Sequence, residues 1–74
     1  MKIVRSNLKA LLDERGISIR KFTEISGLKY ETVRRLYNDD TRQYQRDTLA
    51  VVCETLNVGI DDVLTLIDDE KTEG

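Results

Sequence analysis

The 74-residue chain is long enough for one small domain, and chains of this length bury only about 60% of the surface that they expose when unfolded. Its single cysteine, Cys53, cannot form an internal disulfide, and the absence of histidine excludes most zinc sites and the commonest general base. The net charge of −2, taken by itself, argues against a nucleic-acid partner.

The charge is divided unevenly along the chain. Residues 1–46 contain eleven lysines and arginines against six acidic residues, a balance of +5, whereas residues 47–74 contain one lysine against eight acidic residues, a balance of −7. This polarity predicts that one end of the molecule faces a polyanion while the other end faces away from it. The alternative is that both are ordinary solvated surfaces.

Residues 5–15 predict the first helix, because apolar residues recur there at the spacing of one helix face. Gly16 follows as a stop signal. The apolar stripe consists of Val4, Leu8, Leu11 and Leu12.

Residues 17–38 predict two short helices joined by a tight turn. Ser18 is suited to cap the first of them, which is expected to end near Ser26. Gly27 lies at the junction, where a left-handed backbone conformation lets one helix stop and the next begin. The second helix is expected over residues 30–37. The apolar side of the pair comprises Phe22, Ile25, Leu28, Val33, Leu36 and Tyr37.

The rest of the chain predicts a loop, two more helices and no strand. Residues 38–45 are polar and turn-prone, and Tyr44 is their expected anchor against the next helix. Helices are expected over residues 46–56 and 60–68, each with apolar residues at core spacing. These core candidates are Leu49, Val52, Cys53 and Leu56 in the fourth helix and Ile60, Val63, Leu64 and Ile67 in the fifth.

The elements together predict an all-α bundle of five helices over residues 1–68, followed by an acidic tail, residues 69–74, that is too polar to fold alone. No signal peptide or membrane span is evident, which predicts a cytoplasmic protein. The paired acidic residues lie in turns, first turns or the tail, where nothing would raise a carboxylate pKa toward acid–base work. An enzyme, a metal site, a cofactor and a small-molecule ligand are therefore not expected.

Residues 4–67 resemble the lambda-repressor-like family of helix-turn-helix DNA-binding proteins, also called the Cro or xenobiotic-response-element type. The resemblance rests on the helix pair within residues 17–38 and on the placement of the flanking helices. It implies the five-helix lambda-repressor-like bundle and double-stranded DNA as the partner. Positions filled as the family fills them are Phe22, Gly27, Leu28, Val33 and Leu36, and positions that depart from it are Ile19, Thr23 and Lys29.

The helix over residues 30–37 carries the candidate DNA-reading side chains. Glu31, Arg35 and Asn38 lie opposite its apolar residue Val33, with Arg34 on the shoulder of that face. Arg35 could donate two hydrogen bonds to guanine, whereas Glu31 could accept one from cytosine or form an ion pair with Arg35 instead. The base-reading positions that the resemblance implies are Lys29, Tyr30, Glu31 and Arg35.

Phosphate contacts are expected from polar residues that surround this helix, although each could also be a solvated side chain. They are Arg20, Lys21, Thr32, Arg34, Asn38 and Arg42.

These features predict a sequence-specific DNA-binding regulator of transcription, bacterial or from a phage or plasmid. It is expected to bind as a homodimer, with two reading helices in successive major grooves about 34 Å apart, and to repress by occluding a promoter. The candidate dimer contacts are Leu64, Leu66 and Ile67. The alternative is a protein-interaction module on the same fold, antitoxin-like or anti-repressor, which the acidic composition, Thr23, Lys29 and Glu31 favour.

Overall fold

The computed structural model describes residues 2–68 and contains five helices and two strands there. The helices are α1 (Leu8–Arg15), α2 (Ile19–Ser26), α3 (Tyr30–Tyr37), α4 (Arg46–Leu56) and α5 (Ile60–Val63). The strands are β1 (Lys2–Ser6) and β2 (Leu64–Asp68). The acidic tail predicted for residues 69–74 lies outside the described residues. None of the helices within residues 2–68 has both the length and the apolar character needed to cross a membrane.

Local signals in the sequence mark the end of α1 and both ends of α2. Gly16 ends α1 and Gly27 ends α2, both with left-handed backbone angles, φ of 67° and 78° respectively. The Ser18 hydroxyl accepts a hydrogen bond from the backbone N–H of Lys21 at 3.0 Å, which caps the start of α2. These three predictions are confirmed. At the start of α3, by contrast, Lys29 provides no side-chain cap.

The core lies where the five helices meet. Every helix contributes at least one fully or nearly buried apolar side chain, and Phe22 from α2 is the largest. Half-buried side chains such as Tyr44 and Cys53 pack around this core, as the sequence predicted. The buried apolar residues are Leu8, Leu12, Phe22, Val33, Leu36, Val52, Leu56 and Val63.

The all-α prediction is wrong at both ends of the described chain. Residues 2–6 form a strand where the first helix was expected to begin, and α5 is a single turn that ends where the backbone at Leu64 becomes extended, with φ −124° and ψ 140°. β1 and β2 pair antiparallel, with Lys2 opposite Asp68 and Ser6 opposite Leu64. We call this two-stranded sheet the terminal ribbon.

The physical reason for the error is the competition between local and distant signals. Residues 60–67 carry apolar residues at helical spacing, but β-branched Thr65 and Ile67, like Ile3 and Val4, lose side-chain freedom in a helix and favour a strand. The pairing joins residues about sixty positions apart, which a local pattern cannot show. Ile60, which was expected to be buried, is 52% exposed.

Ser6 and Asn7 attach the terminal ribbon to the helices. The buried Ser6 hydroxyl donates to the carbonyl of Leu36 at 2.8 Å, and the Ser6 N–H donates to the Asp39 carboxylate at 2.9 Å. The Asn7 side-chain amide donates to the hydroxyl of Thr65 at 2.6 Å. The base of the ribbon is therefore fixed to the C-terminal end of α3.

Candidate nucleic-acid interface

α3 has one buried and one solvent-facing side. Val33 and Leu36 are in the core, whereas Tyr30, Glu31 and Arg35 are exposed. Arg34 lies between the two sides and is partly covered. This is the orientation that the sequence predicted from the position of Val33, and it leaves long polar side chains on the outer face of the helix.

Contacts with two other elements brace α3 at its C-terminal end. The Tyr37 hydroxyl donates to the Asp13 carboxylate of α1 at 2.9 Å, and the hydroxyl of Ser6 bonds the carbonyl of Leu36. The Asp13 carboxylate also accepts from the Lys9 ammonium at 2.7 Å, and that bond, followed by the bond from Tyr37, lowers the Asp13 pKa. Tyr37 thus links α3 to α1, and α3 is presented on a fixed support.

Glu31 binds both arginines of the outer face. One carboxylate oxygen, Oε1, accepts from Arg34 Nε at 3.1 Å. The other, Oε2, accepts from Arg34 Nη2 at 2.6 Å and from Arg35 Nε at 3.3 Å. The hydrogen bonds from Arg34 are the main cause that lowers the Glu31 pKa, and the same bonds raise the Arg34 pKa. The sequence suggested the pair with Arg35, but it gave no sign that Arg34 forms the stronger one.

A groove runs beside the outer face of α3. It contains a cavity of about 230 Å³ between α3, the loop that follows it and the first turns of α4. Arg35 lines this cavity and also a second depression formed with the same loop. The polar groups of the cavity wall that sequence reasoning missed are Thr41, Gln43, Gln45 and Thr48. Only the folded loop brings them to Arg35, so no local pattern could have identified them.

The remaining base-reading and phosphate candidates lie at the ends of α3, on α3 itself, in the first turn of α2 and in the loop after α3. Lys29 is exposed at the residue that precedes α3, Asn38 follows its last turn, and half-buried Thr32 borders the groove. Arg20 and Lys21 are exposed in the first turn of α2, and Arg42 is exposed in the loop. Within residues 2–68, the four cations Arg20, Lys21, Lys29 and Arg42 make no ion pair.

The dimer candidates lie on a strand rather than on the predicted helix. Leu64 is half-buried and packs against the core, whereas Leu66 is 63% exposed and lies opposite Val4 on the same face of the terminal ribbon. Ile67 is half-buried on the other face, opposite Ile3. Leu66 and Ile67 therefore cannot belong to one flat contact surface.

The part of the chain that the structure describes contains no group of three or more His, Cys, Asp or Glu residues able to hold a metal ion. Near α3, the Glu31 carboxylate binds two arginines, and the Asp13 carboxylate accepts from Lys9 and Tyr37.

Comparisons with known proteins agree with this geometry. A family model described as the Cro/C1-type helix-turn-helix DNA-binding domain matches residues 7–69. The fold is similar to the crystal structure of a "putative DNA-binding protein from Bacteroides fragilis", with a TM-score of 0.72 and 25% sequence identity, over 85% of this chain and 100% of that one. No curated protein sequence matches. Because the family model spans most of the chain and coincides with all five helices, the chain belongs to the Cro/C1-type helix-turn-helix DNA-binding family.

Proposed function

We propose that this protein is a sequence-specific regulator of transcription that reads the major groove of double-stranded DNA with α3. The observation that carries the proposal is a braced helix whose exposed face holds Arg35 at the edge of a groove, on a fold that belongs to a DNA-binding family. A helix supported in this way can enter the major groove as a rigid unit.

Base reading is assigned to the exposed residues of α3 and of the position before it. Arg35 donates two hydrogen bonds to O6 and N7 of a guanine, and Glu31 accepts from an amino group of a base. Lys29 and Tyr30 reach the groove from the N-terminal end of the helix. The supporting observation is that all four side chains are exposed.

Phosphate contacts hold the helix in position. Arg20 and Lys21 lie in the first turn of α2, where helix amides also favour an anion. Arg34 lies on α3, Asn38 directly follows its last turn, and Arg42 lies in the loop and lines the second depression together with Arg35. Thr32 borders the groove. Such contacts fix the register of the protein on the duplex without reading the sequence.

We further propose that the protein binds as a homodimer and represses transcription by covering a promoter. Exposed Leu66 and Val4 give the terminal ribbon an apolar face, and each strand has an unpaired edge, which is a ready template for pairing with another chain. Leu64 lies on the same face as Leu66, at the inner end of β2, whereas Ile67 lies on the opposite face and is left out of the proposed contact. A regulator of this kind, bacterial or from a mobile element, would act in the cytoplasm, where its DNA is.

The direct test is selection of bound sites from a random duplex library. A homodimer that reads the major groove should enrich a pseudo-palindrome whose half-sites are about one helical turn apart, centre to centre. Enrichment of a single half-site would contradict the dimer. No enrichment would contradict sequence-specific binding.

A second function, a protein-interaction module that does not bind DNA, is favoured by one observation. Glu31 already occupies donors of both arginines on the outer face of α3. Salt dependence separates the two functions, because the logarithm of DNA affinity should fall with the logarithm of salt concentration at a slope of about −0.9 per neutralised phosphate. No binding to any duplex at low salt would favour the interaction module.

A further inference from the structure

Glu31 is an acidic residue in the middle of a surface that is proposed to meet a polyanion. It is exposed on α3, and both arginines of the outer face donate to its carboxylate. A carboxylate can only accept hydrogen bonds, so beside phosphate it is repelled and gains no bond. Its presence therefore needs an explanation that simple electrostatic attraction does not give.

We propose that Glu31 is a specificity-determining residue that withholds Arg34 from the DNA backbone on non-cognate sequences and releases it where a base offers an amino group to the carboxylate. The base would be cytosine, through N4, or adenine, through N6. This inference rests on the proposed function and assigns a discriminating role to one residue of the same surface.

The hydrogen bonds of Arg34 show how the residue is withheld. Arg34 uses the side of its guanidinium, Nε and Nη2, to bind both carboxylate oxygens, at 3.1 and 2.6 Å. Arginine uses the same fork to bind a phosphate. Phosphate and Glu31 are therefore competitors for this pair of donors, and a two-bond phosphate contact through Nε and Nη2 requires Arg34 to leave Glu31.

The hydrogen bonds of Arg35 differ in a way that matters for reading. Only Nε of Arg35 reaches Glu31, at 3.3 Å, and the two terminal nitrogens donate to no other described residue. Those terminal nitrogens can meet O6 and N7 of guanine while Nε stays near Glu31. Glu31 thus competes with phosphate for Arg34 but remains compatible with base reading by Arg35.

Discrimination between cognate and non-cognate duplexes depends on which donors the Glu31 carboxylate has when Arg34 moves to a phosphate. On a non-cognate duplex, moving Arg34 to a phosphate would leave the Glu31 carboxylate without its two main donors, so Arg34 stays with Glu31, its phosphate contact is not made and the complex is weaker. On a duplex with a correctly placed amino group, Glu31 regains a donor and the weakening is removed. Specificity of this kind is achieved by penalising the wrong partner as well as by attracting the right one.

The test compares Glu31→Gln with Glu54→Gln, which makes the same change of charge at an exposed position on α4. Binding is measured over a salt series to a duplex carrying the selected site and to a scrambled duplex. For Glu31→Gln we expect binding to the scrambled duplex about three- to fivefold tighter, with a salt slope steeper by about 0.9 because one more phosphate is neutralised. Binding to the selected site should be equal or weaker, so that the specificity ratio falls.

The double variant Glu31→Gln/Arg34→Ala shows whether the gain depends on Arg34. If it does, the double variant should bind the scrambled duplex no more tightly than the Arg34→Ala protein. A gain that persists without Arg34, or a gain equal to that of Glu54→Gln, would overturn the role of Glu31 while leaving DNA binding intact. A wild-type protein that binds neither duplex would instead overturn the proposed function and this inference together.

Discussion

The helix pair α2–α3 and the terminal ribbon present opposite kinds of surface. In the helix pair the apolar residues Phe22, Val33 and Leu36 are buried and the exposed side of α3 is charged. In the ribbon the apolar residues Val4 and Leu66 are 48% and 63% exposed, and the sheet has only two strands. A two-stranded sheet is marginally stable by itself in water.

The difference matches the two roles proposed for this domain. A charged face on a rigid support suits a highly charged partner whose shape is fixed, such as duplex DNA. An apolar face on a sheet with open edges suits a partner that can supply further strands or apolar surface. The two regions meet where the Ser6 hydroxyl donates to the Leu36 carbonyl.

The largest expected effect comes from breaking the helix pair. Phe22→Ala removes the largest fully buried side chain and should lower the free energy of unfolding by about 3–5 kcal/mol. Urea denaturation followed by circular dichroism measures the change. The matched control is Ile25→Ala on the same helix, where the side chain is 48% exposed and a much smaller loss is expected. Equal losses would show that α2 does not pack as described.

A smaller effect, on DNA affinity, is expected from a substitution on the charged face of α3. Arg35→Ala should cost about 1–3 kcal/mol of binding free energy on the selected site and little on scrambled DNA, because a base contact carries sequence information. Arg42→Ala is the control, and it should weaken all sequences alike and reduce the salt slope by about 0.9. Fluorescence anisotropy gives both quantities. Uniform losses for Arg35→Ala would assign that residue to the backbone instead.

The ribbon is tested by placing a charge on its apolar face. Leu66→Glu puts two carboxylates near each other in the proposed dimer. Association should therefore be about tenfold weaker, which corresponds to a loss of about 1.4 kcal/mol of association free energy. Sedimentation at micromolar concentration measures this change. Ile60→Glu is the control, since Ile60 is an apolar side chain of similar exposure, 52%, outside the ribbon. Identical sedimentation of Leu66→Glu and the wild-type protein would remove this face from the interface.

The smallest effect concerns the junction of the two regions. Ser6→Ala removes the bond to the Leu36 carbonyl and should lower the free energy of unfolding by about 0.5–1.5 kcal/mol. Hydrogen exchange of the β1 and β2 amides should accelerate more than exchange in α3. The control is Ser26→Ala, which removes a hydroxyl outside the ribbon that accepts from the Leu28 N–H at 3.2 Å. This variant should leave hydrogen exchange of the ribbon amides unchanged. Equal acceleration in both variants would show that Ser6 does not anchor the ribbon.

Local signals predicted the centre of the fold. The Ser18 side chain caps the start of α2, and the left-handed backbone of Gly27 ends it. The helical spacing around Val33 indicates which side of α3 is buried. The ribbon could not be predicted in this way, because β1 has no partner until β2 arrives from the other end of the chain. The apolar spacing from Ile60 to Ile67 matched a helix by coincidence.

The candidate interface likewise has features that local signals predicted and features that depend on the folded structure. Exposure of Glu31 and Arg35 followed from helix geometry, whereas the double pairing of Glu31 depends on which rotamers Arg34 and Arg35 adopt. The groove wall of Gln43, Gln45 and Thr48 depends on how the loop after α3 folds back. The DNA-contact roles of all these side chains stay predictions until binding is measured.

The pairing of β1 with β2 also closes the described chain into a ring. Bringing Ser6 to Leu64 encloses all five helices in one loop, and closing a flexible loop of that length costs roughly 3–4 kcal/mol of chain entropy. Folded helices shorten the loop beforehand, so the strands should join after the helices have collapsed. Once the two strands are paired, neither β1 nor β2 can leave the sheet without leaving the other strand unpaired.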